Sequence, residues 1–454
     1  MLDAFVGKYG SRKIQAMSEL YKLGLHQAAQ RIRSGKLKPS VYLHSLLSRI
    51  DACEDTVQAW QWLDRERALE LASSADSAAT PWKAAHPLHG VPLGVKDNFC
   101  TAGIPTEMGC KAYEGYIPEE SADLVVRLES AGALMLGKTV STEAAFMVPA
   151  KTHNPWNPKH TPGGSSSGSA AAVAAGFVPA AIGTQTNGSV IRPAAFCGIV
   201  GYKPSQGMLS ARGVIPFASS LDQPGVFARS VADAALLASC LTPRRSTIAP
   251  DATMLKSPPR LAAVRSPVWH LAQPEQRAQF DTDVARLRKA GAIIDIIEIP
   301  GEFDGAHKIH RTISLFEAAG ASRKVRAHYR DTFSEYLVSA LEEGDAIADA
   351  DYRDAMKRRG QLQHSLAAFL DRGYSAIITP PAQGEAPSTL ENTGDPGFCT
   401  IWTLMGTPAI TIPTGKGPNG MPVGLQLVGA VEEENYMLAT AAWCERHTTF
   451  KGLV

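Results

Sequence analysis

Three short stretches of this 454-residue sequence hold the residue types that a serine-based reaction needs. Gly94-Val95-Lys96-Asp97-Asn98 places one lysine at the end of the apolar run Val91–Val95. Gly163-Gly164-Ser165-Ser166-Ser167-Gly168-Ser169 then runs directly into an alanine-rich helix former, Ala170 to Ala175. Gly183-Thr184-Gln185-Thr186-Asn187-Gly188-Ser189 follows, with Arg192-Pro193 and Gly201-Tyr202-Lys203-Pro204 beyond it. A serine hydroxyl is a weak nucleophile at neutral pH and needs an adjacent base. Lysine, whose ordinary pKa is about 10.4, serves as that base only where burial lowers the value. A lysine that closes an apolar strand meets this condition. Taken alone, Lys96 reads as an exposed strand-end lysine and Ser189 as a turn serine after Asn-Gly. The two serine loops reverse both readings, and a flexible Gly/Ser linker would not pass at once into a helix and a second patterned loop.

Two shorter motif matches compete with this set. Gly132-Ala133-Leu134-Met135-Leu136-Gly137-Lys138-Thr139 satisfies the phosphate-loop pattern GxxxxGK[ST]. Such a loop follows a strand and cradles phosphate with a turn of backbone N–H groups. Here a helical stretch precedes it, and Ala-Leu-Met-Leu favours a buried strand, so the match reads as accidental. Gly164–Gly168 also satisfies GxSxG, the nucleophile elbow of α/β-hydrolases, which needs a strand in front of it. Asn154-Pro155-Trp156-Asn157-Pro158 forbids one. His447 and His364, the histidines that would close such a triad, read as surface residues.

The elements that must position these loops alternate between helix and strand. Apolar residues at three- and four-residue spacings predict helices around Leu25–Ile32 and Val41–Ile50, separated by Gly35 and Pro39, with Ser40 as the N-cap of the second. Ser73 to His89 reads as a polar connection. Strands are predicted at Val91–Val95, Leu134–Leu136, Leu261–Val264, Ile293–Ile297 and Ala376–Thr379. Helices are predicted at Ala122–Ala131, Val231–Leu241, Gln279–Ala290 and Tyr436–Arg446. This order argues for an α/β fold. No repeat or linker divides the chain, and residues 300–372 read as helical, charged and uninformative about chemistry.

Lys+Arg (45) and Asp+Glu (44) cancel to a formal net charge of +1, which gives no global field toward nucleic acid or an acidic membrane. The seven cysteines are scattered and odd in number, without CxxC or metal-ligand spacing, and read as reduced thiols of a cytoplasmic protein. Met1 to Lys13 lacks the pattern of a signal peptide. The uncharged stretch Ala170 to Gly183 is too short to span a bilayer.

From about His26 to Glu445, and most densely between His89 and Pro204, the sequence resembles the amidase signature family. The resemblance implies one domain over 1–454, with a helical segment over 1–72, the signature core over 89–204 and a variable, largely helical region over 250–385. It implies a central mixed β-sheet flanked by helices on both sides. The family's Ser–cis-Ser–Lys set carries over to Ser189, Ser165 and Lys96. The backbone N–H groups of Thr186, Asn187, Gly188 and Ser189 would form the oxyanion hole. The implied reaction cleaves the C–N bond of a small amide through a Ser189 acyl-enzyme, with no metal and no cofactor. The implied partners are a small-molecule amide and a second copy of the chain, with no nucleic acid and no membrane. The alternatives are the glutaminase subunit of a tRNA-dependent amidotransferase and a non-catalytic homologue acting as a binding partner.

Several positions depart from the commonest family pattern: Ser167, Gln185 and Asn187 stand where Gly, Asp and Gly are frequent. Asn tolerates left-handed backbone angles, so the loop survives the last change. Ser189-Val190-Ile191-Arg192-Pro193 sets the arginine three residues after the nucleophile instead of two. That spacing is similar to malonamidase-type members, and it implies that Arg192 binds a substrate carboxylate with its planar fork. The competing expectation is a structural arginine bonded to loop carbonyls. Thr379–Gly384 and Thr393–Pro396 are expected near the acyl pocket, and Asp222 is expected to be a loop-stabilising carboxylate.

Overall fold

A computed structural model describes residues 19–78, 85–243, 248–249, 251, 254–450 and 452–453. The Met1–Lys13 stretch and part of the Ser73–His89 connection lie outside them. The strands are β1 (Trp60–Leu63), β2 (Pro92–Lys96), β3 (Leu134–Thr139), β4 (Ala180–Gln185), β5 (Val200–Lys203), β6 (Gln223–Ala228), β7 (Arg260–Arg265), β8 (Ile293–Glu298), β9 (Ala376–Thr379), β10 (Ala409–Lys416) and β11 (Pro422–Val428). They form one sheet in the order β1-β3-β2-β4-β6-β5-β10-β11-β9-β7-β8. It is mixed: β2 runs parallel to β3 and β4, β7 runs parallel to β8 and β9, and the remaining pairs are antiparallel.

The helices cover both faces. In chain order they are α1 (Leu25–Arg33), α2 (Pro39–Val57), α3 (Arg65–Asp76), α4 (Asp123–Ser130), α5 (Ser167–Ala174), α6 (Ile191–Cys197) and α7 (Val231–Leu241). Then come α8 (Pro274–Lys289), α9 (Ala306–Tyr329), α10 (Glu335–Asp345), α11 (Asp349–Leu370), α12 (Gly397–Met405) and α13 (Glu434–Arg446). Strand side chains alternate between the layers, as a period of two requires. Leu261 and Ala263 of β7 pack with α1, α7 and α13, while Ala262 and Val264 pack with α9 to α12. Both faces are therefore dry, which is why these strands read as continuous apolar runs. The predicted helices and strands appear within a few residues of their expected bounds. One cap differs: Pro39 occupies the first turn of α2 after Lys38, and the N–H and hydroxyl of Ser40 donate to Asp76 instead.

The order β3-β2-β4 places a topological switch beside β2. The chain leaves β2 for β3 on one side and returns to β4 on the other, and the crevice beyond the carboxyl ends of such strands is where open α/β sheets bind ligands. Val95 lies opposite Ile182, so Lys96 and Thr184 leave the sheet at that crevice. Helix α5, which links β3 to β4, is buried along its whole length, as its all-apolar circumference demands. Gly168 permits this, because a Cβ there would stand 2.3 Å from both the Ala59 carbonyl oxygen and the Val140 nitrogen.

Candidate active site

Lys96 ends β2 fully buried, with Nζ 2.8 Å from Ser165 Oγ and 2.9 Å from Thr184 Oγ1. Asn98 Nδ2 donates to the same Thr184 hydroxyl at 3.0 Å. Burial lowers the Lys96 pKa to about 7, against a smaller opposing pull from the Asp222 carboxylate. Desolvation disfavours the ammonium form, so the amine is available as a proton acceptor near neutrality. The peptide bond between Gly164 and Ser165 is cis. The Ser165 carbonyl accepts from the Thr142 N–H, and Ser165 opens into α5.

Ser189 stands at the other end of the Thr184 loop. Exposure rises from Lys96 (0%) through Ser165 (2%) to Ser189 (7%), so the amine lies deepest and Ser189 nearest the solvent. The structure joins Lys96 and Ser165 directly, and Ser189 reaches them through the loop that begins at Thr184. Among the described residues, the N–H groups of Asn187, Gly188 and Ser189 meet no acceptor. Neither Asn187 nor Gly188 has a positive φ, so the left-handed tolerance expected of Asn187 is not what admits it. Its side chain instead accepts from Thr400 Oγ1 at 2.7 Å. Gly188 serves close approach, since a Cβ would stand 3.0 Å from Pro396 Cβ and 3.3 Å from Cys399 Sγ.

Gln185 turns its amide to structural use. Its Oε1 accepts from the N–H groups of Val190 and Ile191 at 2.8 and 2.9 Å, which caps the start of α6, and its Nε2 donates to Thr403 Oγ1 at 2.9 Å. Asp222 accepts from Thr186 Oγ1 and from the N–H groups of Phe217 and Ala218. Burial raises its pKa to about 6.

Arg192 is buried on α6, and burial lowers its pKa to about 10, which leaves it cationic at neutrality. Its terminal nitrogens donate to the carbonyls of Gly164 and Gly394 and to Thr393 Oγ1. The guanidinium thus ties the Ser165 loop to the Thr393–Pro396 loop. A bidentate grip on a substrate carboxylate would require exchanging those bonds.

The competing motifs resolve on geometry. Lys138 lies on β3, buried against Asp97 at 3.0 Å, and a buried strand cannot cradle phosphate. Ser166, the centre of the GxSxG match, donates its buried hydroxyl to the Thr184 carbonyl at 3.1 Å. Sequence reasoning missed Thr184, Thr400, Thr403 and His310. Two threonines at i and i+3 in the otherwise apolar helix α12 are a readable signal for a polar face turned toward a loop. His310 carries none, since a lone histidine on a charged helix reads as surface.

The amidase family model matches residues 42–438, which is most of the chain. The protein therefore belongs to the amidase family and is an enzyme that cleaves C–N amide bonds. It is 34% identical to the amidase-like subunit of the glutamyl-tRNA(Gln) amidotransferase of Halothermothrix orenii, over 95% of this chain and 98% of that one. The corresponding protein from a Synechococcus species is also 34% identical, over 91% and 94%. Among solved structures, one described as an amidase superposes with a TM-score of 0.86 at 32% identity, covering 94% of this chain and 100% of that one. The peptide amidase of Stenotrophomonas maltophilia gives a TM-score of 0.79 at 28% identity, covering 95% and 98%.

The expected partners need correction. Relatives along nearly the whole chain are subunits of an enzyme named for a tRNA-linked substrate, which overturns a partner set limited to a small amide with no nucleic acid. A near-zero net charge misled because it averages over the whole surface and is silent about a protein that meets tRNA through its partners. Among the described residues no helix is long and apolar enough to cross a membrane.

Proposed function

We propose that the chain is the amide-cleaving subunit of a tRNA-dependent amidotransferase, releasing ammonia from the side-chain amide of glutamine. Neutral Lys96 accepts the proton of Ser165, which accepts that of Ser189, and Ser189 Oγ attacks the amide carbonyl. The N–H groups of the Thr186–Ser189 loop hold the resulting oxyanion. Such a donor is worth about 3–4 kcal/mol in the transition state. The relay returns its proton to the departing nitrogen, ammonia leaves, and water attacks the Ser189 ester to release the carboxylic acid and free the serine. The ammonia passes to a tRNA-linked carboxyl group held with the partner subunits. Arg192 enters this reading as the tie between the Ser165 loop and the Thr393 loop. A cytoplasmic location fits it, as do seven cysteines that form no disulfide.

The observation that carries the chemistry is the fully buried Lys96 amine, 2.8 Å from Ser165 Oγ, in the crevice at the switch point. The amidotransferase role rests on the relatives. Ammonia release from glutamine by wild type and Ser189→Ala, with and without proteins co-purified from native cells, tests both. Turnover should vanish in the mutant and rise with the partners present. Retained turnover in Ser189→Ala would refute the triad. Full turnover of simple amides by the isolated chain, unaffected by partners or glutamyl-tRNA, would refute the amidotransferase role and leave the chemistry standing.

A further inference from the structure

The back of the Thr186–Ser189 loop is held by a region that carries no motif. His310, on α9 and buried, lies with Nε2 2.8 Å from the Thr186 carbonyl oxygen. A carbonyl only accepts, so Nε2 bears the hydrogen and the imidazole donates. Thr403 Oγ1 on α12 donates to the next carbonyl, that of Asn187. Both peptide planes are trans, the only cis bond among the described residues being Gly164–Ser165. In a planar trans peptide the N–H points opposite to the C=O that shares its plane. His310 therefore sets the direction of the Asn187 N–H, and Thr403 that of the Gly188 N–H. Helices α9 and α12 pack on one another, so both carbonyls face that layer and both N–H groups point away from it. The side chains of the loop are fixed independently, Thr186 by Asp222 and Asn187 by Thr400.

We propose that His310 is a positioning residue of the amide-cleaving site, holding the Thr186–Asn187 peptide plane so that the Asn187 N–H is already aimed at the oxyanion when it forms. This rests on the Ser189 reading above. A donor held in place before the charge develops avoids reorganisation at the moment of reaction, the condition under which such donors contribute most. His310 touches neither substrate nor Ser189 and acts through the backbone alone.

The test uses a fluorophosphonate, whose phosphonyl oxygen takes the oxyanion position, on the full chain, with modification of Ser189 followed by mass spectrometry. His310→Phe keeps the volume and removes the donor, whereas His310→Gln keeps a neutral N–H donor at similar reach. His310→Phe and His310→Ala should lower the limiting inactivation rate about tenfold with the half-saturating concentration unchanged, less than the ~10²–10³ for outright loss of an oxyanion donor. His310→Gln should recover most of the rate. A purely packing role predicts the reverse, with Phe active and Gln as slow as Ala, and that pattern would overturn the proposal. The Phe and Gln pair decides the matter even if His310→Ala fails to fold. Uptake of the probe by Ser189→Ala would instead show that the underlying nucleophile assignment is wrong.

Discussion

Residues 89–204 and the helices α9 to α11 contribute to the site in opposite ways. The first region supplies every group proposed to exchange a proton or a bond: Lys96, Ser165 and Ser189. The second supplies no reacting group, yet His310 holds the carbonyl side of the loop whose N–H groups face the reaction. Reacting side chains need fixed types at fixed spacing, so they leave a motif. A backbone carbonyl accepts from any donor that a helix brings within reach, so its support leaves none. Chemistry is therefore concentrated in one stretch of sequence, while the geometry that makes it effective is distributed.

The same contrast separates two buried lysines. Burial lowers both Lys96 and Lys203 to about 7. Lys203 Nζ, however, donates to Gln223 Oε1 and to the carbonyls of Thr407 and Pro204, three acceptors that cannot take part in a relay. Lys96 meets two hydroxyls, which both donate and accept. A perturbed pKa marks a candidate, and the neighbours decide its role.

Substitutions can break these comparisons in order of expected effect. Ser189→Ala should lower turnover by about 10⁴-fold or more, measured as ammonia release, as removal of a nucleophile does elsewhere. Lys96→Ala should cost about 10³-fold and remove the rising limb of the pH–rate profile. Thr403→Val keeps the volume and deletes the donor to the Asn187 carbonyl. A loss of about tenfold in kcat with KM unchanged is expected, and an effect on KM alone would place Thr403 at the substrate instead. Lys203→Met should leave the pH limb in place while lowering stability by about 2 kcal/mol in denaturant unfolding, because buried acceptors lose their donor. Breaking the exposed Arg330–Glu342 ion pair should change stability by less than about 0.5 kcal/mol and leave turnover unaltered.

Legibility followed the same physical divide. Aliphatic runs such as Leu261–Val264 and Ala376–Thr379 announced β7 and β9. Strands β6, β10 and β11 did not, because Pro224-Gly225, Pro413 and Pro422 read as turns when seen without their neighbours. Strand β4 was hidden for another reason: Ala180-Ala181 continues the small-residue stretch of α5, and only pairing with β2 and β6 makes it extended. Lys96, Ser165 and Ser189 were visible as a set. Their support by Gln185, Thr400, Thr403 and His310 was not, since those contacts join residues more than a hundred positions apart or run through backbone atoms. The tRNA-linked context was invisible because it belongs to an assembly.

The central claim is that a neutral, buried Lys96 activates Ser189 through Ser165. The most direct measurement is the pH dependence of fluorophosphonate modification, with the modified residue located by mass spectrometry. A lowered lysine pKa leaves the amine protonated and inactive below about 7 and neutral above it. The account predicts modification at Ser189 alone, rising through pH 7 in wild type and lost in Lys96→Ala. A rate that is flat across this range and unchanged in Lys96→Ala, or a label found on Ser165 or Ser166, would contradict it.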